Sequence, residues 1–261
     1  MQELMIKSVL DAGYVAIYEF SDSIRSLNHA MEFVGTIASI SHGNFYTGER
    51  AIELANKLLY KWHHMSPFEF VRIPLSLTLD EPVSLGIEKS FRNNLSKYFC
   101  MWSKTKPEDF DSHVEVHRAN LVLFKVKCPI FVARQIMRHR SFSFMERSMR
   151  YMSANDLQKL EFYLPAKDKL KSLPYNIRDV ARFLIELGMD AEAVRCILPL
   201  GTYTEFYMLG DVFAYANFFK QRLGSGVQKE TKQYAEAMLF LIDKNNQRFY
   251  NFLKKEAGEV L

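Results

Sequence analysis

The chain has 261 residues, 48% of them hydrophobic and 25% charged, with a formal net charge of +4 and a sequence pI near 8.8. These proportions predict a soluble globule large enough for one sizeable core. They exclude a collagen-like or disordered chain, and the mild positive excess suits an anionic small molecule better than nucleic acid. Cys100, Cys128 and Cys196 are isolated and form neither a disulfide framework nor a zinc pattern, so a reducing, cytoplasmic location is expected and no metal. No apolar run approaches the roughly 18 residues of a membrane span, and the first residues carry no secretory pattern.

Residues 5–20, MIKSVLDAGYVAIYEF, alternate loosely and predict one or two short strands around Asp11–Gly13. Residues 23–40 predict a helix carrying Ile24, Leu27, Met31, Val34 and Ile37, followed by the polar turn SISHGNFYTG. ERAIELANKLLYKW, residues 49–62, is an amphipathic helix with acids first and lysines later. HHMSPFEF is broken by Pro67, and residues 71–112 are punctuated by Pro74, Pro82 and Pro107. Residues 114–127 predict a strand. Pro129 then opens a helix expected to end near residues 138–141, with a loop through the arginine-rich stretch beyond. Helical patterns cover 175–187, 189–197, 203–220 and 226–254, with Gly188, Pro199, Gly224 and Gly226 as breaks. The sum is one α+β domain over residues 1–261, its helices packed around a small, mostly antiparallel sheet.

The most unusual stretch is RQIMRHRSFSFMERSMRYM, Arg134 to Met152, which mixes arginines with Phe, Met and Ile. Gln135 and Arg138 share a predicted helix face, with Arg134 beside them. Arginine forks bind phosphate in two places at once, and Ser148 adds a hydroxyl. Glu146 suits a sugar hydroxyl, a ring N–H or the positioning of an arginine. The local chemistry fits a nucleotide; the alternative is arginines paired with Glu146, Glu161 and other acids at a subunit interface. No His–acid pair is evident to make Ser148 a nucleophile, so it reads as a ligand. His113 and His117, spaced by four in a strand entry, do not form a metal pair. Tyr203 and Phe206, at helical spacing, read as core or as the wall of a site.

Arg138-His139-Arg140 followed after seven residues by Ser148 resembles the signature of the flavin-dependent thymidylate synthases. The resemblance continues through KVKCPIFVARQIMRHR, ERSMRYM, LEFYLP, VRCILPLGTYTEF, the region of Asn217 and Arg222, and HHMSPFE. It implies a homotetramer with active sites between subunits. It also implies FAD as cofactor, NADPH as reductant and methylenetetrahydrofolate as the one-carbon donor to C5 of dUMP. By this resemblance Gln135, Arg138, Glu146, Arg147, Ser148, Arg150 and Arg195 belong to the dUMP site. Arg222 lies by the pyrimidine as the catalytic residue. Ser41, His64, His139, Arg140 and Asn217 contact FAD, Arg138 reaches it too, and Glu69 aligns with a family glutamate on the cofactor side.

The chain departs from the family pattern at several positions. Ser39 stands for an arginine, Met145 for an asparagine, and Asp211 and Phe213 for an N-x-R pair. Phe70 stands for a histidine after PFE, and another histidine is replaced near Gly226. The FAD half is therefore expected to differ more than the nucleotide half. Residues 71–112 read as a family-atypical insertion: a lid, an altered oligomer surface, a filler for the missing FAD contacts, for which Phe91, Tyr98, Phe99 and Trp102 allow stacking, or a small satellite core. The competing readings are the same chemistry on UMP or dCMP, and a non-catalytic nucleotide-binding or assembly homologue.

Overall fold

The computed structural model describes residues 2–18, 27–64, 66–70, 121–151, 153–165 and 173–258. The insertion expected at 71–112 lies outside the described residues, as do Cys100, His113 and His117.

Strands β1 (Glu3–Val9) and β2 (Gly13–Tyr18) form the expected hairpin, turning at Leu10 with a positive φ of 58°. Gly13 is required there. A Cβ would lie 1.8 Å from the Tyr234 hydroxyl, which donates to the Lys127 carbonyl at 2.8 Å. β3 (Val122–Pro129) pairs with β2, β5 (Tyr203–Gly210) pairs with β3, and β4 (Ser143–Glu146) closes the far edge against β5. Every pairing is antiparallel, in the order β1-β2-β3-β5-β4.

Both faces of the sheet are covered. Phe124, Val126, Phe206 and Met208 point into a core with α3 (Ile130–Ile136), α7 (Val212–Arg222), α8 (Lys229–Asn245) and α9 (Gln247–Ala257). Leu123, Tyr207 and Leu209 alternate to the other face, where they meet Ile37 and Ile40 near the end of α1 (Leu27–Ser39). α2 (Gly48–Asn56) packs outside α1 and runs on as a wide π turn over Lys57–Trp62. A smaller core of Leu157, Leu160, Phe162, Ala181 and Val194 joins α4 (Ala154–Gln158), α5 (Leu173–Glu186) and α6 (Ala191–Val194).

The pattern read as a helix over 203–220 is a strand followed by a helix. A strand buried on both faces shows a near-continuous apolar run, which periodicity alone does not separate from a helix. Asp211 marks the boundary: its carboxylate caps α7 by accepting from the Ala214 N–H at 2.9 Å. Tyr203 and Phe206 thus sit on β5, not on a helix. The helix expected over 226–254 is two helices, broken at Asn246, whose side chain accepts from the Phe249 N–H at 2.9 Å. The arginine-rich stretch, expected as loop, contains β4. α3 stops at Ile136, so Arg138 lies in the following turn and does not share a helical face with Gln135.

Candidate functional site

The described site residues fall into three groups around the α3–β4 segment. The first centres on Arg222 at the end of α7. Its Nε donates to His139 Nε2 at 2.9 Å and its Nη2 to the Gln135 main-chain carbonyl at 2.9 Å. His139 is buried, 5.0 Å between ring centroids from Phe218 in an edge-on packing. Desolvation, then the Arg222 charge, push its pKa down to about 4, which keeps the ring a neutral acceptor at neutral pH. Burial and then the nearby charge of Arg138 lower the Arg222 pKa, yet a guanidinium stays cationic. The Gln135 side chain is engaged internally: its amide donates to Gln228 and its oxygen accepts from Thr231 at 3.1 Å.

The second group joins β4 to the turn after α1. The Ser148 N–H donates to the Ser41 carbonyl at 2.9 Å, and the Arg147 N–H donates to the Glu205 carbonyl at 2.8 Å. Ser41 donates its hydroxyl to the Ala38 carbonyl at 2.8 Å. Gly43, with φ of 67°, lies under Arg147; a Cβ there would come 3.3 Å from the guanidinium. Glu146 accepts from the Thr204 hydroxyl at 2.8 Å. Desolvation raises the Glu146 pKa against the Thr204 bond and the Arg134 charge, so its proton is held more tightly than on an ordinary glutamate.

The third group is built on the small core. Arg150 and Arg195 both contact the Glu192 carboxylate. The Arg150 N–H donates to Ser148 Oγ at 3.2 Å, which ties this group to the second.

The remaining expected residues are spread more widely. Arg138 and Arg140 are exposed and have no carboxylate partner among the described residues. Asn217 is exposed on α7, its Oδ1 accepting from Gln221 at 3.0 Å. His64 follows the π turn, its N–H donating to the Leu58 carbonyl at 2.9 Å and its ring 6.4 Å from Trp62. Glu69 lies in a short 3-10 turn, and its carbonyl accepts from the buried Ser143 hydroxyl at 3.1 Å. Within the protomer, Glu146 bonds Thr204 and Glu161 pairs with Lys127, while Arg150 and Arg195 pair with a different acid, Glu192.

The departures have structural reasons. Ser39 is fully buried; its hydroxyl donates to the Thr36 carbonyl at 2.7 Å and accepts from the Tyr46 N–H at 3.1 Å. Met145 stands opposite Tyr207 and packs on the second core. Asp211 is a helix cap, and Gly226 takes a positive φ of 82° in the turn before α8. Cys128 is buried and its thiol is pushed well up by desolvation, so it is no thiolate nucleophile.

Glu192, Thr204, Gln228 and Thr231 escaped sequence reasoning. Only Glu192 left a signal, its three-residue spacing from Arg195 on a helical pattern.

A family model described as thymidylate synthase complementing protein covers residues 111–245. The flavin-dependent thymidylate synthase of Thermosipho melanesiensis is 39% identical over 165 residues, spanning 53% of this chain and 70% of that protein. The flavin-dependent thymidylate synthase of Thermosipho africanus is 36% identical over 137 residues, 43% of this chain and 58% of its own length. That of Thermus thermophilus is 36% identical over 146 residues, 47% of this chain and 53% of its own length. The pairing of the arginine-rich stretch with β5 and the bond that locks Arg222 to His139 thus lie within the matched segment, and the chain belongs to the thymidylate synthase complementing family, that of the flavin-dependent thymidylate synthases.

Proposed function

We propose that the chain catalyses the reductive methylation of dUMP to dTMP, with FAD as its cofactor, methylenetetrahydrofolate as carbon donor and NADPH as reductant. The reading extends to a cytoplasmic homotetramer with active sites between subunits. Among the described residues no helix is long and apolar enough to cross a membrane.

The observation that carries this reading is the seating of Arg222. Two of its donors are consumed by His139 and by the Gln135 carbonyl, which fixes the direction of the guanidinium. C5 of uracil is a poor carbon nucleophile, and a fixed cation beside the ring's carbonyl edge stabilises the negative charge that develops there. Because His139 accepts from Arg222 as a neutral ring, it serves as a positioning residue for that cation. Arg150 and Arg195 supply guanidinium forks for the nucleotide phosphate, with Ser148 next to them. A phosphate held there restrains the base, and orientation of this kind contributes several kcal/mol, about 7–11 at the extreme.

The exposed guanidiniums of Arg138 and Arg140, unneutralised among the described residues, fit the phosphates of a dinucleotide cofactor. Together with Ser41, His64, Glu69, His139 and Asn217 they are the residues that would hold FAD. When bound, the flavin supplies the hydride that no amino-acid side chain can.

Conversion of dUMP, UMP and dCMP is compared in the presence of flavin, folate and NADPH. The expected outcome is a flavin absorbance spectrum in the purified protein, dTMP formation from dUMP alone, and near-complete loss of turnover in Arg222→Ala with the fold retained. Turnover restricted to UMP or dCMP replaces the substrate, and full turnover in Arg222→Ala overturns its catalytic role. A protein that binds dUMP without flavin or turnover is a nucleotide-binding homologue instead.

A further inference from the structure

Glu192 is the one carboxylate, among the described residues, that pairs with two arginines expected at the same ligand. Its Oε1 accepts from Arg150 Nε at 2.9 Å and its Oε2 from Arg150 Nη2 at 3.1 Å, a two-point fork. Its Oε1 also accepts from Arg195 Nη2 at 3.2 Å, so one oxygen is shared by both guanidiniums. Charge-assisted donors from two forks converging on one oxyanion are the arrangement a phosphate oxygen seeks. All three side chains are about half exposed, 51% and 38% for the arginines and 50% for Glu192, so the carboxylate can exchange with a ligand arriving from water. Ser148, through the Arg150 N–H, belongs to the same patch.

We infer that Glu192 is a built-in competitor for the phosphate subsite, an internal oxyanion that the nucleotide displaces. The inference rests on the proposed placement of the nucleotide phosphate at Arg150 and Arg195. Two adjacent guanidiniums carry two positive charges, and a single carboxylate neutralises only one. A dianionic phosphate neutralises both and offers three oxygens in place of two, so it gains over Glu192 where a monoanion or an uncharged nucleoside does not. Glu192 therefore sets the affinity of the subsite: it weakens every anion that enters, and a dianionic monophosphate is the ligand best able to take its place. Before displacement it also keeps its neighbour Arg195 gathered with Arg150, which lies 42 residues before Glu192 in sequence.

The test is calorimetric titration of the full-length protein with dUMP and with deoxyuridine, in wild type, Glu192→Gln, Arg195→Ala, Arg150→Ala and the double variant Glu192→Gln/Arg150→Ala. Glutamine keeps the shape and removes the competing charge. Glu192→Gln is expected to tighten dUMP roughly 2- to 10-fold, the scale of releasing exposed ion pairs. Deoxyuridine affinity stays unchanged, and the gain shrinks in the Arg150→Ala background. Unchanged or weaker dUMP binding in Glu192→Gln, with Arg195→Ala still losing affinity, overturns the competitor role and leaves the phosphate subsite standing. Wild-type affinity in both Arg150→Ala and Arg195→Ala removes the subsite itself, and the competitor with it.

Discussion

His139 gives the site a pH dependence whose direction follows from its surroundings. Buried against Phe218 and facing the Arg222 cation, it has a pKa of about 4 in the folded chain, below the ordinary value of about 6.5. Between those values the unfolded chain binds a proton that the folded chain refuses. The stabilising contribution is therefore complete above pH 6.5 and is lost as the pH falls toward 4, on the order of 3 kcal/mol in all. Glutamine at this position can accept from Arg222 without titrating. His139→Gln is expected to flatten the stability difference between pH 7 and pH 5 measured by urea unfolding; an identical pH slope in the two proteins would show that another group controls it. At this scale the sequence exposed the identities of the polar residues better than their engagements. The His139–Arg222 bond joins residues 83 apart, and the burial of Ser39 depends on a turn that composition does not reveal.

α7 shows how one capping residue supports the helix that carries Arg222. The Asp211 carboxylate accepts the Ala214 N–H, and the same helix ends in Arg222. Asp211→Ala is expected to cost about 1 kcal/mol, read as a lower urea midpoint with an unchanged slope, while Asp211→Asn retains most of the stability. Equal midpoints for wild type and Asp211→Ala would mean the cap contributes nothing. The elements legible in the sequence were those with a single apolar face or a tight turn: the β1–β2 hairpin, α1, and α3 opening at Pro129. β5 was not, because Phe206, Tyr207, Met208 and Leu209 serve two cores at once. β4 escaped because its four residues are too few to show alternation, and its pairing with β5 is long-range. The division of the last helix at Asn246 hid behind a continuous amphipathic pattern.

For the molecule as a whole, two helical layers enclose the sheet, and apolar side chains remain outside them. Val180, Phe183 and Leu187, at helical spacing along and just beyond α5, are each half or more exposed among the described residues. Contiguous apolar side chains on a surface mark contact with another molecule. The proposed homotetramer gives them a role as a subunit contact. Phe183→Glu combined with Leu187→Glu is expected to lower the mass seen by light scattering coupled to gel filtration, with helix content unchanged. A tetramer of unchanged mass would exclude this face from the assembly. The architecture class was readable from the alternation of strand and helix patterns. The grouping of Arg150 with Arg195 was readable only through the family resemblance, because spacing does not reveal the small core under α4–α6 that joins their distant segments.

The acceptor that seats Arg222 on the α3 side is a peptide carbonyl, not the glutamine side chain of the same residue. A substitution at position 135 can therefore retune the link to Gln228 and Thr231 while leaving the Arg222 guanidinium in place. That half of its mooring depends on backbone shape alone, so any residue at 135 that keeps the turn after α3 keeps the arginine pointing the same way.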